Sequence, residues 1–138
     1  SDRPDWQVAE REIRMEMSED KPVGRVSVDA YGDGGFRVAG QRIEGSLLML
    51  PNGPESWPVG QIADLQLSDF ASVLEQRQDI EILLVGTGGT IAFLNKDIRA
   101  DLNSAGIKVD AMDTGAAART YNVLIAEGRR VAAALIAA

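Results

Sequence analysis

The 138 residues include no cysteine and no histidine. Without cysteine there is no disulfide, no thiolate nucleophile and no Cys-held metal site. Without histidine the commonest general base and zinc ligand is missing, and a Ser-His-Asp triad cannot be built. Any catalysis falls to carboxylates, Lys, Tyr, Ser, Thr or a borrowed cofactor. Aromatic residues make up only 5% of the chain: Trp6, Tyr31, Phe36, Trp57, Phe70, Phe93 and Tyr121. That is thin for a base-stacking platform. Positive charge is also lacking. A net charge of −7 excludes a non-specific nucleic-acid binder, which needs a basic face. No apolar stretch reaches the length of a membrane span. No apolar h-region with a cleavage site follows a basic start, so no secretory signal is expected.

What is present describes a globular protein. Apolar residues make up 45% and charged residues 25%, both ordinary values. A chain of this size buries roughly 68–70% of the surface it exposes when unfolded. Its organising stretch is Glu81-Ile82-Leu83-Leu84-Val85-Gly86-Thr87-Gly88-Gly89. Ile82 to Val85 are all apolar, where a half-exposed strand would alternate. This strand is therefore expected to be covered on both faces, as in a sheet with parallel strands. It ends in glycines, at the kind of carboxyl edge where ligands bind in open α/β sheets.

Residues 1–22 hold seven acidic and four basic side chains and no sustained period. They are expected to form an acidic tail, with 23–138 as a single α/β domain. From Val23 the pattern is β. Val26 and Val28 alternate with polar neighbours, Tyr31–Phe36 reads as a turn, and Phe36 and Val38 form the return strand. Ala39–Arg42 is a second turn, and one strand follows from Ile43 to Leu50. Pro51–Pro54 stops it, and Trp57 and Val59 form an edge strand around Pro58. The second half alternates α and β. A helix is expected from Ser68 as N-cap to about Gln78, then the 81–86 strand, then an extended piece at Ile91–Leu94. Asn95 caps a helix from Lys96 to Ala105, with Gly106 at C′. Ile107–Met112 alternates as a strand. Thr114 is read as the N-cap of a third helix that reaches Ala126 and buries Ala117, Tyr121, Leu124 and Ile125. Arg129–Ile136 is alanine-rich, which favours helix by propensity. Gly128 suits a short loop into a final strand, and strand is the assignment adopted.

Several segments in order carry a resemblance. They are Ala30-Tyr31-Gly32-Asp33-Gly34-Gly35-Phe36, Gly45-Ser46-Leu47-Leu48, Leu84-Val85-Gly86-Thr87-Gly88, Met112-Asp113-Thr114, Ala118–Leu124 and Glu127-Gly128-Arg129. Across roughly residues 25–137 the chain resembles the Mth-type domain of unknown function. That family includes a mitochondrial respiratory complex I assembly factor and an adipogenesis-associated protein. The resemblance implies a three-layer α/β domain around a mixed, mostly parallel five-stranded sheet, with an added antiparallel β-hairpin region. It implies that Arg129–Ile136 is the closing strand. It carries no reaction and no cofactor. It implies protein partners, complex I subunits or other assembly factors among them, and a bacterial cytoplasmic relative, since the acidic tail is unlike a transit peptide.

Two groups of residues are candidates for a site. Gly86, Thr87 and Gly88 could cradle an anion through backbone N–H groups, or simply make a tight turn. The loop fails the dinucleotide fingerprint, with Ile91 where a third glycine belongs, and no Gly-Lys-Ser/Thr follows. Asp113, Thr114, Arg119 and Asn122 could hold a carboxylate or phosphate at a helix start. Capping plus an Asp113–Arg119 ion pair accounts for the same residues. Asp29 and Asp33 match no EF-hand spacing, so no metal is expected. Arg129 and Arg130 beside Glu127 read as solvated, with an acidic partner surface as the lesser alternative, and Trp57 as core rather than an interface anchor. Two functions follow: a non-enzymatic interaction protein, or a domain binding a small anionic metabolite between the Gly86 loop and Arg119.

Overall fold

The structure is a computed structural model and describes residues 25–138. The expected acidic tail lies outside the described residues. Strands β1 (Val28–Gly32), β2 (Gly35–Val38) and β3 (Gln41–Glu44) form one antiparallel sheet. A second, five-stranded sheet contains β4 (Ser46–Leu50), β5 (Gly53–Trp57), β6 (Ile82–Gly86), β7 (Lys108–Met112) and β8 (Val131–Leu135), in the order β5-β4-β8-β6-β7. β6 pairs parallel with β7 and β8, while β4 pairs antiparallel with β5 and β8. Only β4 runs against the others, so the sheet is mixed and mostly parallel, as expected. The helices are α1 (Ala71–Glu75), α2 (Lys96–Ser104) and α3 (Thr114–Ala126).

The apolar runs become strands because both faces of this sheet are covered. Alternate residues separate into two cores. Leu47, Met49, Leu84, Val131, Ala133 and Leu135 face a layer made by α3 and the β1–β3 sheet, with Phe36 and Tyr121. Leu48, Leu50, Leu83, Val85, Ala132 and Ala134 face the layer of α2 and the 62–79 helical turns, with Phe70, Ile98 and Leu102. Three layers result. β8 is a strand despite its alanines because β4 and β6 pair with it from both sides, with Ala133 opposite Met49 and Leu84. Pairing on two edges outweighs a weak helical preference. Small side chains there also let α3 lie close to the sheet.

Several boundaries differ from those expected, each for a local reason. Tyr31 lies within β1, and the turn contracts to Asp33-Gly34, with φ of 54° and 78°. Ala39-Gly40, at 52° and 79°, makes the next two-residue turn. These suit the tight hairpins that need positive φ twice. Gln41 and Arg42 therefore belong to β3. Gly45, at φ 80°, breaks the expected 43–50 strand and moves the chain from one sheet to the other. β5 starts at Gly53 and ends at Trp57, leaving Pro51-Asn52 as the turn; it is an edge strand, but Pro58 and Val59, expected within it, lie outside, because Val59 N turns back to Trp57 O at 2.8 Å.

The expected 68–78 helix is short and irregular. A capping box between Gln66 and Asp69 starts a 3-10 turn at Leu67, so Ser68 is no cap. The Trp57 indole Nε1 donates to the Asp69 carbonyl at 2.7 Å, and regular α geometry holds only over Ala71–Glu75. Residues 91–94 form no strand. Asn95 caps α2 as expected, its Oδ1 accepting from Asp97 N and Ile98 N at 2.8 and 3.2 Å. Gly106 follows at φ 89°. In α3, Ala117 and Tyr121 are buried, whereas Leu124 and Ile125 are only half-buried.

Candidate functional site

The carboxyl edge of the parallel strands gathers five of the seven candidate residues. Gly86 ends β6 and Met112 ends β7 beside it. Thr87 N donates to Met112 O (2.8 Å), and Thr114 N donates to Gly88 O (2.9 Å). Thr114 is fully buried. Its Oγ1 accepts from Gly88 N (2.9 Å) and donates to Ile136 O (2.6 Å). Helix capping falls to Asp113, whose Oδ1 accepts from Ala116 N at 2.9 Å. This corrects the expected Thr114 cap: Asp113 has the extended backbone of an Ncap residue, and Thr114 is already helical. Thr87 is buried too, its Oγ1 donating to Thr90 O (2.7 Å) and accepting from Ala92 N (3.2 Å). Gly86 is required by space: a Cβ there would lie 2.9 Å from Thr114 Cα and Oγ1.

Arg119 and Asn122 share a face of α3, but they are directed at β1 and not at the glycine loop. Asn122 Oδ1 accepts from Val28 N (2.8 Å) and its Nδ2 donates to Val28 O (2.9 Å). It thus acts like one more strand residue for β1. Arg119 Nη1 donates to the Tyr31 hydroxyl at 3.2 Å. That hydroxyl lies over Gly115, the helix position where a Cβ would come within contact distance of it. The depression lined by Arg119 and Asn122 is completed by Val28, Asp29, Ala30, Tyr31 and Ala118, with no residue of the Gly86 loop. Among the described residues no group of three or more acidic side chains gathers to hold a metal.

Two features were not anticipated from the sequence. Arg25, Arg129 and Arg130 converge on a cavity of about 580 Å³ with Asn122 and Ile125 in its wall. Their guanidiniums are tied to the protein itself. Arg25 Nη2 donates to Arg129 O and Val131 O (3.1 and 2.9 Å), Arg129 to Glu81 Oε2 (3.2 Å) and Arg130 to Gln78 O (2.8 Å). The Arg129-Arg130 pair was visible in the sequence, but the approach of Arg25 from 104 positions away was not. The second feature is Phe93, which stands in solvent with Ile91 beside it. Its apolar neighbours in the chain made it read as part of a short extended piece. In the core between α3 and the sheet, the Tyr121 hydroxyl is buried and finds no hydrogen-bond partner among the described residues. Burial raises its pKa, and the Arg25 cation draws it the other way.

These elements define a three-layer α/β protein in which the glycine turn, the helix cap and the buried threonine close the sheet's own edge. The sequence pattern of the family described as "Protein of unknown function (DUF498/DUF598)" matches residues 28–136, and the chain belongs to that family. An uncharacterized protein of Rhodobacter capsulatus is 37% identical over 113 residues, 82% of this chain and 86% of that protein. The mouse protein named NADH dehydrogenase [ubiquinone] 1 alpha subcomplex assembly factor 3 is 35% identical over 80% of this chain. The chain spans only 60% of that relative's length. Among solved structures, one described as an outer membrane protein from Bartonella henselae is 44% identical with a TM-score of 0.79, over 83% of this chain and 96% of that one. A Mth938-like domain from Bordetella pertussis is 36% identical with a TM-score of 0.72, over 88% and 92%. Among the described residues no helix is long and apolar enough to cross a membrane.

Proposed function

We propose that this protein is a non-enzymatic interaction protein that takes part in assembling an NADH dehydrogenase, with residues 23–138 as its folded unit. The observation that carries this reading is its similarity to named assembly factors. Vertebrate proteins of that name are 32–36% identical to it over 109–123 residues. The site geometry supports the same reading. Thr87, Asp113, Thr114 and Asn122, the side chains best suited to a ligand, are each engaged by the protein's own backbone. The partners in this reading are subunits of the dehydrogenase or other assembly factors, met in a bacterial cytoplasm.

The test is removal of the protein from its source organism, followed by native-gel measurement of assembled NADH dehydrogenase. A fall in the assembled enzyme, restored by the wild-type chain, is expected. An unchanged level would refute the reading. Cell fractionation with an antibody to the chain tests the compartment, and recovery outside the cytoplasm would refute that part alone.

A further inference from the structure

We propose that the loop from Thr87 to Asn95 is a docking element whose Phe93 enters an apolar pocket on a different, folded protein. Phe93 is 99% exposed and Ile91 is 71% exposed. Scattered apolar residues on a surface are normal. Phe93 and Ile91, two positions apart, are the most exposed of the large apolar side chains among the described residues, and exposed aromatics are what interfaces use as anchors.

The exposure is built into the loop. Buried Thr87 braces one limb through its bonds to Thr90 O and Ala92 N. On the other limb Leu94 is buried in the core with α2, and Asn95 caps that helix. Phe93 thus sits directly between Ala92, held through its amide, and Leu94, held through its side chain. An anchor presented from fixed points loses little freedom when it binds.

The chemistry of the segment identifies what covers it. Thr87 to Asn95 contains no charged residue, in a chain where 25% of residues are charged. The cores of protein interfaces are depleted of charge and enriched in aromatic anchors. A nucleic acid or an anionic membrane would call for Lys or Arg in the loop. Two copies of the loop meeting each other do not suit it either. A buried Phe supplies about 150–250 Å², whereas each side of a standard interface supplies about 800 Å². Two such loops meeting tip to tip bury too little. A concave partner that wraps the loop supplies the missing area.

The assembly reading above provides the class of partner, and the experiment keeps the two apart. Phe93 is replaced by photo-reactive p-benzoylphenylalanine in the full chain, in its source organism, with the same replacement at exposed Arg37 of β2 as control. A single adduct with a different protein is expected from position 93 and none from position 37. That partner, purified, is expected to bind wild type and to lose about 30-fold or more in affinity for Phe93→Ser. The unfolding midpoint of Phe93→Ser should not change, since the ring buries nothing. Adducts with a second copy or with lipid, no adduct, or equal binding of Phe93→Ser would each overturn the proposal. If Phe93→Ser restores dehydrogenase assembly as well as wild type, the docking proposal fails and the assembly reading stands. If the protein proves unnecessary for that assembly but the adduct and affinity loss are seen, the reverse holds.

Discussion

Thr114 and Gly88 bond to each other in both directions. Thr114 N donates to Gly88 O and Gly88 N donates to Thr114 Oγ1, both at 2.9 Å. The start of α3 is thereby joined to the loop after β6, and the same hydroxyl reaches Ile136 beyond β8. Three segments meet at one buried oxygen. Thr114→Val keeps the shape but leaves the Gly88 N–H and the Ile136 carbonyl without this partner. A loss of about 2–4 kcal/mol is expected, read by denaturant unfolding. Thr114→Ser should recover most of it.

Gly86 and Gly115 make a contrasting pair. A Cβ at Gly86 would meet Thr114 Cα at 2.9 Å and Leu135 Cδ2 at 3.0 Å. The Thr114 Cα is helix backbone and cannot give way, and the Leu135 methyl is packed in the core. Gly86→Ala should cost about 1–3 kcal/mol through overpacking. At Gly115 the obstacle is the end of the half-exposed Tyr31 side chain, which can swing aside. Gly115→Ala also gains up to about 1 kcal/mol of helix preference. Its unfolding free energy should stay within about 1 kcal/mol of wild type, and changed Tyr31 fluorescence should report the displaced ring.

Asn122 holds β1 by both backbone groups of Val28. Asn122→Ala should cost about 2 kcal/mol by leaving two partly buried groups unpaired. The loss should also be local. Amide exchange at Val28 should accelerate far more than exchange at Leu84 in β6, and equal acceleration at both would contradict this account.

Tyr121 makes stability depend on alkaline pH. Its pKa is raised by burial in the folded state, so the folded protein holds this proton more tightly than the unfolded chain. The contribution is fully present below the ordinary tyrosine value near 10 and is lost as pH rises through the folded value. Unfolding midpoints should fall across that range, and Tyr121→Phe should flatten the fall. Near neutral pH the same change removes a buried hydroxyl without a partner among the described residues. It is expected to be neutral or to stabilise by about 1 kcal/mol.

Local chemistry was readable from the chain. The two-sided burial of β6 followed from its unbroken apolar run. The limits of α2 followed from Asn95 and Gly106, and the final strand followed Gly128. The site was only half legible. Asp113, Thr114 and Gly86–Gly88 do meet, because strands β6 and β7 are parallel neighbours and end together. The roles within that group depend on backbone angles, which moved the cap from Thr114 to Asp113. Arg119 and Asn122 went elsewhere because their partners, Tyr31 and Val28, lie 88 and 94 positions away. No local pattern records such a pairing. The extended piece expected at Ile91–Leu94 forms no strand, and only the fold shows that Leu94 turns inward while Phe93 stays in solvent.

The position of β8 has a consequence for how the protein comes into being. It is the last in chain order of the described strands, yet it lies in the middle of the sheet, between β4 and β6. Until residues 131–135 leave the ribosome, β5-β4 and β6-β7 are two separate ribbons with facing edges unpaired. Their apolar faces stay uncovered on the seam, in the state most open to wrong pairing. This sheet therefore cannot grow strand by strand as the chain emerges. It can close only when β8 pairs with β4 and β6, so their facing edges stay open until residues 131–135 are available.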